Sequence, residues 1–297
     1  MPVSQFTTLL PNDVLARVER MRLNPIRRQT NRMRGEHLSS KGGTSIEFAD
    51  YRDYVAGDDI RYVDWNIFSR LNHPYLKLFA HEEEMHVVIL LDASQSMLFE
   101  EKFDLARQAA AALGVMGLMN VERVSVYSCA SLQSEPVIMP PVTGRASLQR
   151  FLKFLEGLAG GGAFPVEQAI EEVLKRHRGR GVAIVLSDFL TLGDLTRGFN
   201  LLHNAGLEIY GLQILGPSEI DPELTGDLRF IDSETQQTLD VSSVGELLGI
   251  YHEHRLALEA HLSAECRKRS GRFLSVSSDE PIKSLLFDRL LRKGWVR

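Results

Sequence analysis

Val87-Val88-Ile89-Leu90-Leu91-Asp92-Ala93-Ser94-Gln95-Ser96 is the stretch on which the fold turns. Five consecutive branched aliphatic side chains leave no polar face. A strand with this composition has to be covered on both sides, as strands of a parallel sheet are. The run ends on a carboxylate followed by two hydroxyls, and a helical pattern begins at Lys102. That pattern extends to Asn120, with Phe103, Ala106, Ala110 and Leu113 on one side.

The same alternation continues outward. Arg123 to Cys129 reads as a strand, Arg145 to Leu158 and Pro165 to Arg176 as helices, and Val182 to Leu186 as a second wholly apolar strand. Leu192 to Ala205 then reads as a helix and Leu207 to Leu215 as a strand. Leu228 to Val241 has the pattern of a hairpin around Ser233-Glu234-Thr235. Ser243 to Arg269 is a long helix, Arg272 to Val276 a last strand and Pro281 to Arg292 a last helix. Strands alternating with helices predict an α/β fold with a doubly wound, mostly parallel sheet over residues 86–297. Residues 1–85 read as an N-terminal extension with small β elements. It holds one helix after Pro11, an extended basic loop over 26–45 and a strand at Tyr75-Leu76-Lys77-Leu78-Phe79. Segment 46–85 has no sustained helical period.

The 297 residues are 44% hydrophobic and 25% charged, which excludes a collagen-like, mucin-like or largely disordered chain. The 34 Lys/Arg against 39 Asp/Glu leave a net charge of −5. Its distribution is uneven: residues 1–41 hold eight basic and three acidic side chains, and residues 46–104 five basic and thirteen acidic. Two cysteines, Cys129 and Cys266, are too few for a disulfide framework and fit no zinc ribbon. Met1 to Asn12 has neither a basic leader nor a long apolar run, and Ala109 to Met119 is too short for a membrane span. A cytoplasmic protein is the expectation.

Asp92, Ser94 and Ser96 follow one buried strand, and Ser187-Asp188 follows another. If those strands are neighbours, both carboxylates face one crevice at the carboxyl ends of the sheet, where open α/β folds place their sites. Hard oxygen donors of this kind suit Mg²⁺ or Mn²⁺. The alternative is that Asp92 and the serines cap the next helix.

A strand, D-x-S-x-S, a helix and a later strand ending in S-D resemble a von Willebrand factor type A domain with its metal-ion-dependent adhesion site. The segment from Glu47 to Trp65, EFADYRDYVAGDDIRYVDW, is similar to the signature of the bacterial domain-of-unknown-function family numbered fifty-eight, and Phe230 to Thr235 resembles that family's late hairpin. The resemblance covers roughly residues 35–277. It implies a type A domain, and a MoxR-type AAA+ ATPase as partner in the assembly or maturation of a client protein. It implies Asp92, Ser94, Ser96 and Asp188 as metal ligands. One ligand departs from the pattern: the loop that should supply a threonine reads Gly160-Gly161-Gly162-Ala163-Phe164-Pro165, and Ala163 has no side-chain oxygen. Weak or absent metal binding is the expectation.

Other constellations read as structure. In Gly57 to Trp65, an arginine (Arg52 or Arg61) is expected to form a bidentate pair with one of Asp58, Asp59 and Asp64, with Trp65 as a core anchor. His252 and His254 lie two apart on a helix and point to different sides, so they cannot share a metal. The Gly160–162 run lacks the lysine of a nucleotide loop and reads as a flexible loop. No G-x-S-x-G elbow or G-x-G-x-x-G motif is present. These readings favour a non-catalytic interaction module. Two alternatives stand beside it: a metal-dependent hydrolase using Asp92 and Asp188, and a nucleic-acid adaptor using the basic run from Arg27 to Arg34. Few aromatics interleave that run, so nucleic acid is the least favoured partner.

Overall fold

The structure, a computed structural model, describes residues 5–26, 30–31, 46–82, 85–129, 136–162, 166–190, 194–222, 228–231, 238–241 and 244–297. The chain divides into two compact units, Met1–Arg27 with Met85–Arg297, and Arg28–Glu84. Helix α1 (Asn12–Val18) groups with the larger unit, because its Val14, Leu15 and Val18 stripe is buried in that unit's core. The sequence alone draws the boundary at residue 85, since nothing local shows where an isolated amphipathic helix docks.

The smaller unit is an antiparallel sheet of β1 (Thr30–Asn31), β2 (Ile46–Asp53) and β3 (Tyr75–Glu82) in the order β1-β3-β2, with helix α2 (Trp65–Leu71) between β2 and β3. The aspartates of its turn each have a partner. The Arg52 guanidinium grips Asp58 with both terminal nitrogens, at 2.8 and 2.6 Å. Arg61 holds Asp59 through Nε and a terminal nitrogen. Asp64 caps α2 by accepting the N–H groups of Asn66 and Ile67, and takes the Lys77 ammonium at 3.0 Å. These partners (Arg52, Arg61 and Lys77, respectively) hold all three carboxyls below their ordinary range. Trp65 differs from the expectation. It opens α2 and stands 59% exposed, with an edge contact to the Phe68 ring. The cap fixes its backbone, and the ring is left outside. Asp64→Ala should lower the unfolding midpoint in urea, whereas Asp64→Asn, which keeps a cap acceptor, should lower it less.

The larger unit runs β4 (His86–Asp92), α3 (Lys102–Met119), β5 (Arg123–Cys129), β6 (Val137–Val142), α4 (Leu148–Glu156), α5 (Val166–Arg176), β7 (Gly181–Ser187), α6 (Leu195–Asn204) and β8 (Leu207–Leu215). It continues with α7 (Pro217–Ile220), the antiparallel pair β9 (Leu228–Ile231) and β10 (Thr238–Val241), α8 (Val244–Lys268), β11 (Arg272–Ser277) and α9 (Ile282–Ser284). Six strands form the central sheet in the order β11-β8-β7-β4-β5-β6. Five are parallel, and β6 is an antiparallel edge carrying the exposed Pro140 and Pro141. The unpatterned apolar runs have their explanation here. Val87, Ile89 and Leu91 join the core under α1, α3 and α4, while Val88 and Leu90 join the core under α5, α6 and α8. Alternate side chains thus fill both faces.

The last residues close the larger unit. Val296 bridges Leu23, the Arg22 N–H donates to the Arg297 carbonyl at 2.9 Å and the Arg297 N–H returns the bond. The fully buried Trp295 lies 4.9 Å from the Tyr210 ring, and the Tyr210 hydroxyl donates to the Asn24 carbonyl.

Candidate functional site

β4 and β7 are neighbours, with Leu91 opposite Leu186, so Asp92 and Asp188 both emerge at the carboxyl edge of the sheet. After β4 the chain passes to β5 on one side, and after β7 it passes to β8 on the other. Successive connections diverge between β4 and β7, which opens a crevice at that point.

Asp92, Ser94 and Asp188 are buried there, and Ser96 is partly buried. The Ser187 hydroxyl donates to Asp92 Oδ2 at 2.6 Å, and the Ser94 N–H donates to Asp92 Oδ1 at 2.9 Å. Ser94 and Ser96 share a hydrogen bond between their hydroxyls at 3.0 Å. Ser94 stands at the N-cap position of the short helical turn Gln95–Glu101, but its hydroxyl makes no cap bond there. Burial, followed by the neighbouring Asp188 charge, pushes the Asp92 carboxyl up to about 6.

The glycine run is fastened to this site. The Gly161 N–H donates to the Ala93 carbonyl at 2.8 Å, and the Gln95 N–H donates to the Gly162 carbonyl at 2.9 Å. Gly161 and Gly162 have φ of 126° and 91°, a backbone that side chains oppose. Ala163 lies outside the described residues, as do Arg27, Arg28 and the Arg32 to Arg34 stretch of the basic run.

Sequence reasoning missed the residue that organises the crevice. Lys102, the first residue of α3, is fully buried, and its ammonium lies 2.9 Å from Asp188 Oδ2 and 2.6 Å from Glu219 Oε1. Burial alone would pull the lysine down, but the two carboxylates outweigh it and raise it. Glu219 lies on α7, just beyond β8, and also accepts the Gly216 N–H. Glu100 reaches the same turn by accepting the Ser218 N–H at 3.0 Å. The available signal was a cation at a helix N-terminus, where the helix dipole opposes it unless anions stand close by.

This donor set does not suit a resident divalent ion. Asp188 Oδ2 carries the ammonium and Oδ1 accepts the Leu190 N–H. Both Asp92 oxygens are engaged, and the serine hydroxyls bond each other. A doubly charged ion drawn to Asp188 would sit beside a buried positive charge of its own sign. Among the described residues, no three His, Cys, Asp or Glu side chains are grouped to hold a metal. His252 instead faces Asp221, at 3.9 Å. Burial raises both cysteine thiols, Cys266 to about 12 and Cys129 well above its ordinary value, which suits structural rather than reactive roles.

Among the described residues, no helix is long and apolar enough to cross a membrane. An uncharacterized protein of Mycobacterium tuberculosis H37Rv, Rv1480, is 26% identical over 83% of this chain and 79% of its own length. An uncharacterized protein of Mycobacterium bovis, Mb1516, matches to the same degree. Among solved structures, the conserved hypothetical protein BatB from Bacteroides thetaiotaomicron aligns with a TM-score of 0.42 and 14% identity, over 71% of this chain and 98% of that one. An aerotolerance-related membrane protein from Bacteroides fragilis aligns with a TM-score of 0.44 and 19% identity, over 67% of this chain and 96% of the other. The model of the family described as "Protein of unknown function DUF58" matches residues 50–253, and the chain belongs to that family.

Proposed function

We propose that the chain is a non-catalytic protein-interaction module of the von Willebrand factor type A kind, and that the crevice between β4 and β7 is its docking point. The observation that carries this reading is the make-up of the two loops that hold the buried polar centre. They expose Leu98, Phe99 and Leu190, and they bend through left-handed backbone at Glu100, Glu101 and Phe189, with φ of 47°, 57° and 56°. Strained backbone of this kind persists where the surroundings hold it, and it clusters at working sites. Interfaces are built on an apolar patch with a polar rim and are enriched in aromatic side chains such as the exposed Phe99.

The partner in this proposal is a MoxR-type AAA+ ATPase, acting with the module on a client protein. Support for that partner is the resemblance carried by residues 47–65. The metal-dependent hydrolase alternative requires a free carboxylate pair, and the bond from Lys102 to Asp188 weighs against it. The test is capture of the ATPase from the same cell by the tagged full chain. Capture should be lost in Leu98→Asp/Phe99→Asp and weakened in Ser94→Ala/Ser96→Ala, with folding checked by circular dichroism. Undiminished capture by both variants would remove the crevice from the reading. A metal-stimulated esterase or phosphatase activity that disappears in Asp92→Asn would favour the hydrolase instead.

A further inference from the structure

We propose that the Lys102 ammonium is the resident cation of the crevice, and that the site is assembled without a bound metal ion. The inference holds whatever partner docks there, so failure of the ATPase capture leaves it standing.

Full burial of an ammonium is costly unless it is paired, and Lys102 also sits at a helix end whose dipole repels it. Both costs are met by two carboxylates that come from the ends of different strands. Asp188 follows β7 and Glu219 follows β8, and each lies within 3 Å of the same nitrogen, at 2.9 and 2.6 Å. A divalent ion in an adhesion site gathers oxygen ligands from separate loops onto one centre. Here the lysine gathers Asp188 and Glu219 onto one point at the same edge of the sheet.

The surrounding bonds extend that anchorage. Gln213 on β8 donates its side-chain amide to the Asp188 carbonyl at 2.9 Å, and Tyr251 on α8 donates its hydroxyl to the Glu219 carbonyl at 2.5 Å. The loops after β4, β7 and β8 are therefore held around a charge that is part of the chain and cannot dissociate. Two consequences follow. Chelators leave the crevice intact, and docking does not depend on a partner carboxylate completing a metal shell. The partner meets hydroxyls and apolar side chains instead.

The experiment titrates the full-length protein with MnCl2 and MgCl2 by calorimetry, beside Lys102→Gln, Asp188→Asn and the double variant Lys102→Gln/Asp188→Asn. Circular dichroism reports whether each is folded. The wild type should give no saturable heat up to millimolar ion, and should unfold at the same temperature in EDTA as in Mg²⁺. Lys102→Gln, with Asp188 and Glu219 released, should take up Mn²⁺ saturably, and the double variant should lose that uptake. Saturable Mn²⁺ binding by the wild type that Asp188→Asn abolishes would overturn the proposal, as would a folded Lys102→Gln that takes up no Mn²⁺. Should Lys102→Gln not fold, the wild type and Asp188→Asn decide between them. Saturable binding by the wild type overturns the proposal, and binding by neither upholds it.

Discussion

Trp295→Ala should destabilise the protein by about 3–5 kcal/mol, the range for removing a large aromatic side chain from a packed core. The indole is fully buried and packs on Tyr210, and the backbone around it pairs with residues 22–24, since the Asn24 N–H donates to the Trp295 carbonyl at 2.9 Å. Emptying this position should therefore do more than lower the urea midpoint. Amide exchange at Arg22 and Asn24 should accelerate ahead of exchange in β4 and β7, because their partners are on residues 295–297. Trp295→Phe should cost much less. Among the described residues the buried indole N–H has no hydrogen-bond partner, so phenylalanine gives up volume without giving up a bond to them. Equal losses for alanine and phenylalanine would contradict this account of the packing.

Asp92→Asn should make the protein more stable near neutral pH and remove part of its pH dependence. The carboxyl titrates at 3.8 in the unfolded chain and at about 6 in the fold. The folded state therefore binds this proton more tightly. The resulting stability is fully present below the unfolded value, and is lost as pH rises through the folded one. Across a shift of that size the loss is about 3 kcal/mol, complete a little above neutral pH. Asparagine is never charged, so its stability should not decline over this window. Its amide oxygen can still accept the Ser94 N–H, and its NH2 can donate to the Ser187 hydroxyl in place of the bond that Ser187 donates to Asp92. Urea unfolding at several pH values between about 4 and 7.5 checks this, through the difference between variant and wild type. A difference that stays constant across the range would mean that Asp92 is not the titrating group.

Much of this architecture is legible in the sequence, for identifiable physical reasons. A strand buried on both faces writes itself as an unbroken apolar run, and Val87–Leu91 and Val182–Leu186 are such runs. The residues that follow such a run in a parallel sheet must lie at the carboxyl edge, which places Asp92 and the Ser187-Asp188 pair. What stayed illegible depends on partners far along the chain. Lys102 reads as an ordinary helix start because Asp188 and Glu219 lie 86 and 117 residues away. The glycine run reads as a flexible loop because its bonds to Ala93 and Gln95 cross more than sixty residues of sequence. Helix α2 spans only seven residues and fully buries none of them, so it is too short to write a sustained period in the sequence. Strand β6 is masked by its own prolines.

Those prolines determine how the sheet meets its surroundings. A border strand offers a free row of amide hydrogens on which a foreign strand can be templated, and an open border of this kind invites polymerisation. Pro140 and Pro141 take two N–H donors out of β6, and the irregular pairing opposite them, between Val124 and Val126, interrupts the flat ladder. Among the described residues, no strand pairs beyond β6. This margin of the protein is thereby blunted against self-addition. A molecule that exposes Leu98, Phe99 and Leu190 near one end of its sheet is spared an open template along this flank.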